Sequence, residues 1–184
     1  MDVAKAKATP WLLLVFSLPA KNASQRVEIW RKLQRCGMVP LRSSGYLLPN
    51  TEVNQERMEW LAAAIRSYKG QASVVQAQAF DDLSPEQLKG LFIEVRSRDY
   101  QRLLHDVKKF LSLSASRRPA GHLKRIRRRF QELREIDFFE NPLRARVESM
   151  LARADESEVT RAKAKPKTKV RAGKLAANHN TPVR

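Results

Sequence analysis

Six basic side chains stand close together in the stretch LKRIRRRFQELREIDFF, residues 123–139: Lys124, Arg125, Arg127, Arg128, Arg129 and Arg134. Guanidinium groups at this density suit the holding of phosphate or another oxyanion. Their planar fork donates two parallel hydrogen bonds and keeps its charge at any ordinary pH. On a helix, Leu123, Ile126, Phe130 and Leu133 fall on one narrow face, and the basic residues spread over most of the rest. Only Glu132 and Glu135 can relieve the charge within the helix, at about 0.3–0.5 kcal/mol per pair. The expectation is a helix that docks by its apolar face and finds its counter-charge outside the molecule. A solvated surface is the ordinary reading of a charge run. A lipid-surface helix would need more aromatic or leucine bulk than this one can spare from its core contacts. A phosphate backbone remains the best match, with Lys124, Arg125, Arg127, Arg128 and Arg129 as its contacts. Arg31, Lys32 and Arg35 of an earlier helix are weaker candidates, with Arg42 nearby, and Glu28 can simply pair with Lys32.

Other chemistry is thin. The single cysteine, Cys36, excludes an internal disulfide, points to a reducing compartment and sits at a helix C-terminus, where thiols are not activated. His105, His122 and His179 are far apart, and no Cys/His pair has the spacing of metal ligands. Asp81-Asp82 reads as charge before a helix N-terminus rather than a metal site. There is no phosphate-cradling glycine loop and no GxSxG. Neither an enzyme nor a cofactor nor a metal is expected.

The charge balance supports a polyanion partner. The 184 residues carry 36 Lys and Arg against 19 Asp and Glu, a net charge of +17. Residues 1–116 hold 17 basic and 11 acidic side chains, and residues 117–184 hold 19 and 8, so the excess concentrates in the last third. WLLLVFSLPA, residues 11–20, resembles the apolar part of a signal peptide. Yet the run is too short to span a bilayer, which takes about 20 residues, and a buried strand reads the same way. A cytoplasmic protein without a membrane partner is expected.

The elements that must position these residues follow from periodicity. Trp11–Leu18 reads as a strand. A helix capped by Asn22 or Ser24 runs to Arg35, with Val27, Trp30 and Leu33 inward and Cys36-Gly37 as its stop. Residues 38–50 read as two strands around a Ser-Ser-Gly turn. Asn54–Tyr68 is a second helix, with Met58, Leu61, Ile65 and Tyr68 on one stripe and Gly70 as its stop. Residues 73–80 alternate as a strand, with Val75, Ala77 and Ala79 on one face. The order βαββαβ predicts an α+β fold with a ferredoxin-like (split βαβ) core over residues 11–82, after a flexible residue 1–10 segment. A helical subdomain follows over 83–154. In it Ser84, Pro85 and Gln87 start a helix, stapled by Leu83 and Leu88. Gly90 and the alternation in LFIEVR suggest a short helix and then an extended piece; a continuous helix over 85–113 is the rival. After a connector at 114–121 comes the basic helix, and Asn141-Pro142 caps a last helix carrying Leu143, Val147, Met150 and Leu151. From Asp155 the composition predicts a disordered basic tail, 155–184.

These blocks resemble a known family. WLLLVFSLPAKNASQRVEIWRKLQRCGMVPLRSSGYLLPN, LFIEVRSRDYQRLLHDV and LKRIRRRFQELREIDFF occur in the order found in the chromate-resistance regulator ChrB, over about residues 11–152. The resemblance implies a cytoplasmic bacterial repressor of a chromate-efflux operon that binds operator DNA and responds to chromate. The WRKL…G…YLLP portion is also similar to a domain of the phenylacetate repressor PaaX, itself like the small CRISPR-adaptation nucleases. Those carry an Asp at the end of the first strand, where this chain has Ser17-Leu18-Pro19, so nuclease activity does not carry over. A metal-dependent nuclease and a non-specific nucleic-acid-binding accessory protein are the rival readings. Many ChrB-like chains continue into a second domain, to which the resemblance assigns sensing. If chromate is sensed here, clustered arginines such as Arg125, Arg128 and Arg129 could bind it as they would phosphate. A homodimer is expected, since operator readers favour two-fold pairing.

Overall fold

A computed structural model describes residues 10–19, 21, 23–42, 45–114 and 117–164. The flexible N-terminus and most of the basic tail foreseen from the sequence lie outside the described residues. Strand β1 (Trp11–Ser17), helix α1 (Ala23–Arg35), strands β2 (Val39–Leu41) and β3 (Gly45–Pro49), helix α2 (Glu52–Ser67) and strand β4 (Gln71–Ala77) come first. Helices α3 (Pro85–Ser112), α4 (His122–Arg134) and α5 (Leu143–Ala164) follow. The fold is α+β. The four strands form one antiparallel sheet in the order β2-β3-β1-β4, with the apolar β1 and β3 in its centre.

Strand alternation divides β1 between two layers. Trp11 meets Phe92 of α3 and Phe139, with ring centroids 6.1 and 6.2 Å apart. Leu12 and Leu14 therefore point to the opposite face, where α2 packs across β1 and β4. Two inward faces differ from the sequence reading. In α1 the buried residues are Ile29 and Leu33, whereas Val27 and Trp30 are exposed. In β4 the pairing of Val74 with Leu14 turns Val74 towards the core and leaves Val75 exposed. Arg42 follows β2 in the left-handed region and pairs with Asp82, so it is not a free cation.

The helical half also departs from expectation. α3 is one continuous helix of 28 residues, with no extended piece after Gly90. Its start is as the sequence requires: Ser84 accepts from the Gln87 amide at 3.2 Å, and Gln87 Oε1 accepts from the Ser84 amide at 2.8 Å. Continuity lets α3 serve two cores. Leu88 and Phe92 complete the core of the sheet, and Tyr100, Leu103, Leu104, Val107 and Phe110 form a second core with α4 and α5. α5 runs ten residues beyond Ala154, where the tail was expected to begin. Its continuation has partners: Arg118, lying over the Phe110 ring, donates to Ser157 and Glu158 at 2.8 and 3.1 Å, and Arg127 binds Asp155.

A buried polar knot in the 136–142 turn joins the two cores. Asp137 accepts from the Tyr100 hydroxyl at 2.8 Å and from the Asn141 amide at 3.0 Å. The Asn141 side chain donates to the Ile93 carbonyl and Ser97 Oγ, and its Oδ1 caps α5 through the Leu143 amide at 2.9 Å. The same turn presses on the end of α1. There Gly37 has φ +74°, with Met38 N–H bonded to the Leu33 carbonyl and Gly37 N–H to that of Gln34, which closes the helix in a Schellman motif. A Cβ on Gly37 would lie 2.6 Å from Ile136 Cβ. Gly37→Ala is expected to lose about 1–2 kcal/mol to the left-handed backbone and a further amount, about 1–3 kcal/mol, to overpacking. Gly90→Ala, in open space on α3, should gain about 0.5–1 kcal/mol. Urea midpoints of the two variants check this pair of opposite signs.

Candidate nucleic-acid interface

The apolar face of α4 is as the sequence arranges it: Ile126, Phe130 and Leu133 are buried and Leu123 packs beside them. Its charges are another matter. Arg129 Nη1 lies 2.6 Å from Asp106 Oδ2 on α3. Arg127 makes a parallel two-pronged contact with Asp155 on α5, with Nε 3.0 Å from Oδ1. Arg128 Nε is 3.3 Å from Glu132 Oε1, and Arg134 Nη1 is 3.7 Å from Glu148 Oε1. The expectation that all the counter-charge comes from outside is therefore corrected. The folded chain supplies carboxylates from α3 and α5 as well as from α4 itself. These pairs are solvent-exposed and worth about 0.2–1 kcal/mol each, so a polyanion could displace them. Each displacement would leave a carboxylate facing the phosphates. Lys124 and Arg125 alone among the five proposed α4 contacts form no ion pair with a described residue.

The three arginines suggested for chromate are no bare cluster either. Arg129 is engaged by Asp106 and Arg128 by Glu132, which leaves Arg125. On α1, Lys32 Nζ sits 2.9 Å from Glu28 Oε1. That bond, with a second from the Tyr68 hydroxyl at 2.8 Å, holds the Glu28 carboxyl below its usual range. Arg31 forms no ion pair with a described residue. Arg35 does share a site with α4: it lines one cavity with Arg129, Glu132 and Glu135. Burial pushes the Cys36 thiol up, away from a reactive thiolate.

Uncompensated charge gathers elsewhere. A groove of about 530 Å³ between α3 and α5 is lined by Lys108, Leu111, Arg146, Ser149, Met150 and Arg153. Among the described residues no acidic side chain lines it, and none of its three cations pairs with a carboxylate. At 100° per residue, Lys108 lies on the flank of α3 opposite Asp106, so the groove faces away from α4. Arg146 and Arg153 are two turns apart on α5, about 10 Å along the axis. Sequence reasoning missed this groove because its cations come from two helices, with Lys108 and Arg146 38 residues apart in the chain. The available signal was the placing of Arg146 and Arg153, seven apart, beside the stripe of Val147 and Leu151.

Among the described residues no helix is long and apolar enough to cross a membrane, and no group of three His, Cys, Asp or Glu could hold a metal ion. No solved structure matches the chain. Residues 26–116, from α1 to the end of α3, match the family model of the N-terminal part of Protein ChrB. Protein ChrB of Cupriavidus metallidurans is 32% identical over 143 residues, which is 76% of this chain and 44% of that protein, so the chain spans less than half the length of this relative. With its matched region and this identity, the chain belongs to the ChrB family.

Proposed function

We propose that the chain is a DNA-binding transcriptional regulator, acting as a repressor of a chromate-resistance operon in the cytoplasm and released by chromate. The observation that carries the reading is the α3/α5 groove, three cations that pair with no carboxylate among the described residues. Lys108, Arg146 and Arg153 would take phosphates of one strand. Lys124 and Arg125 on the outer side of α4, and Arg31 on α1, would serve flanking DNA or the second half-site of a homodimer. Arg127, Arg128, Arg129, Lys32 and Arg35 would contribute only where a phosphate displaces or adds to their present neighbours. We read the β2-β3-β1-β4 sheet with its two crossover helices as ferredoxin-like, a rigid base that holds α3 in place for both cores.

The test is a binding titration of the neighbouring promoter against random DNA at physiological salt, with and without saturating chromate at fixed ionic strength. A regulator should prefer its site about a thousandfold or more. Chromate should lower the promoter affinity and leave the random-DNA affinity unchanged. Equal affinity for both DNAs would reduce the chain to a non-specific binder, and an unchanged promoter affinity in chromate would remove the sensing claim.

A further inference from the structure

Arg96 is the most deeply buried charged group of the described chain, 2% exposed. It interrupts the apolar stripe of α3 between Phe92 and Tyr100, at the junction of the two cores. Its Nε and Nη2 have no hydrogen-bond partner among the described residues. Those two atoms form one edge of the guanidinium, the edge that grips an oxyanion through two parallel bonds. The third nitrogen, Nη1, is 3.5 Å from Asp99 Oδ2, and Arg102 Nη1 is 3.6 Å from Asp99 Oδ1. Asp99 thus stands between two guanidinium groups at more than hydrogen-bond length from each. Burial lowers the Arg96 pKa, yet a guanidinium stays protonated in a protein, so its positive charge remains.

Arg96 lines a cavity of about 520 Å³ where α1, α3 and α4 meet. Its charged lining comprises Arg35, Arg96, Arg102 and Arg129 with Asp99, Glu132 and Glu135. Arg129 is taken by Asp106 and Glu132 by Arg128. Three guanidinium groups are left against two carboxylates, and one of the three is shut off from water.

We propose that this cavity is a binding site for a small tetrahedral oxoanion, held by the guanidinium groups of Arg96, Arg102 and Arg35. The donors come from two helices and several directions. A tetrahedral anion has oxygens for all of them, whereas a carboxylate spends both of its oxygens on a single fork. Sulfate, phosphate and chromate share this tetrahedral geometry. The site stands independently of DNA binding.

Calorimetric titration of the full chain with sulfate, phosphate, chromate and acetate, at ionic strength balanced with sodium chloride, tests it. One-site saturable binding is expected for at least one tetrahedral anion, at least tenfold tighter than for acetate. Arg96→Met should abolish it. Arg102→Met, at a side chain 73% exposed, should weaken it tenfold or more, as should Arg35→Met. If Arg96→Met fails to fold, the two rim variants decide. No saturable heat from any tetrahedral anion would overturn the assignment. So would binding no tighter than acetate, or affinities unchanged in the rim variants. Equal binding of the three anions marks a general oxoanion site, and binding of one alone identifies its natural ligand.

Discussion

Asp137→Ala should destabilise the protein by about 3–5 kcal/mol, a cost typical of breaking a buried charged network. Asp137 is 8% exposed and accepts from both the Tyr100 hydroxyl and the Asn141 amide. Alanine would leave both donors buried without an acceptor, at about 1–3 kcal/mol each, and would remove a negative charge that acts on Arg96 alongside Asp99. The loss falls on the seam of the molecule, because Asn141 also ties the turn to Ile93 and Ser97 of α3 and caps α5. The urea midpoint should therefore drop for the sheet and the helices together. Tyr100→Phe, which removes one bond and leaves the carboxylate paired to the Asn141 amide, should cost only about 1 kcal/mol. Its pH dependence supplies a second check. Burial first, and then the bond to Asp137, raise the Tyr100 pKa above its ordinary value of about 10. The folded state therefore holds this proton more tightly than the unfolded chain. That stability is fully present below about pH 10 and is lost as pH rises towards the folded value. Tyr100→Phe should lack this alkaline loss when unfolding is followed against pH beside the parent chain.

Lys108→Gln, Arg146→Gln and Arg153→Gln together should weaken DNA binding by roughly 10–10³-fold at low salt, since each lost contact of this kind contributes about 0.5–1.5 kcal/mol net. The fold should be unaffected, because the three side chains line an open groove and make no ion pair with a described residue. The contrast is with Arg127→Gln and Arg129→Gln on α4. These arginines already face Asp155 and Asp106, so their removal forfeits cross-helix pairs worth about 0.2–1 kcal/mol each and fewer bare positive charges. Filter-binding or anisotropy titrations of the two variant sets on one DNA fragment would rank the two surfaces.

The parts of this picture that were legible in the sequence share a cause. The capping box at Ser84, the Gly37 stop, the central place of β1 and the apolar face of α4 are all set by residues within a few positions of one another. What was not legible depends on distant partners or on a choice between adjacent residues. Val74 and Val75 are both apolar, so the inward phase of β4 is fixed only by its register with Leu14 and Leu13. Val27, Ile29, Trp30 and Leu33 offer two overlapping stripes on α1, and packing selects the one with Ile29. Glycine at position 90 and the alternation after it disguised α3, whose stripe of Leu88, Phe92, Tyr100, Leu103 and Val107 has helical spacing throughout. Reading α3 as broken also hid Arg96, which stands out only as a charge within that stripe. The neutralisation of the basic helix was beyond local reading altogether. Asp106 lies 23 residues before Arg129, and Asp155 lies 28 residues after Arg127. A charge run in the sequence therefore marked where cations are dense, whereas the fold decides which of them remain unneutralised.

The most direct measurement is the slope of log K against log salt concentration for DNA binding. It should be taken on the parent chain, on the Lys108, Arg146 and Arg153 triple variant and on an Arg127 and Arg129 double variant. Each lost phosphate contact should shallow the slope by about 0.9, so the groove variant should lose between two and three units and the α4 variant about one or less. A groove variant with the parent's slope, or a larger fall in the α4 variant, would show that the polyanion lies elsewhere and contradict the account.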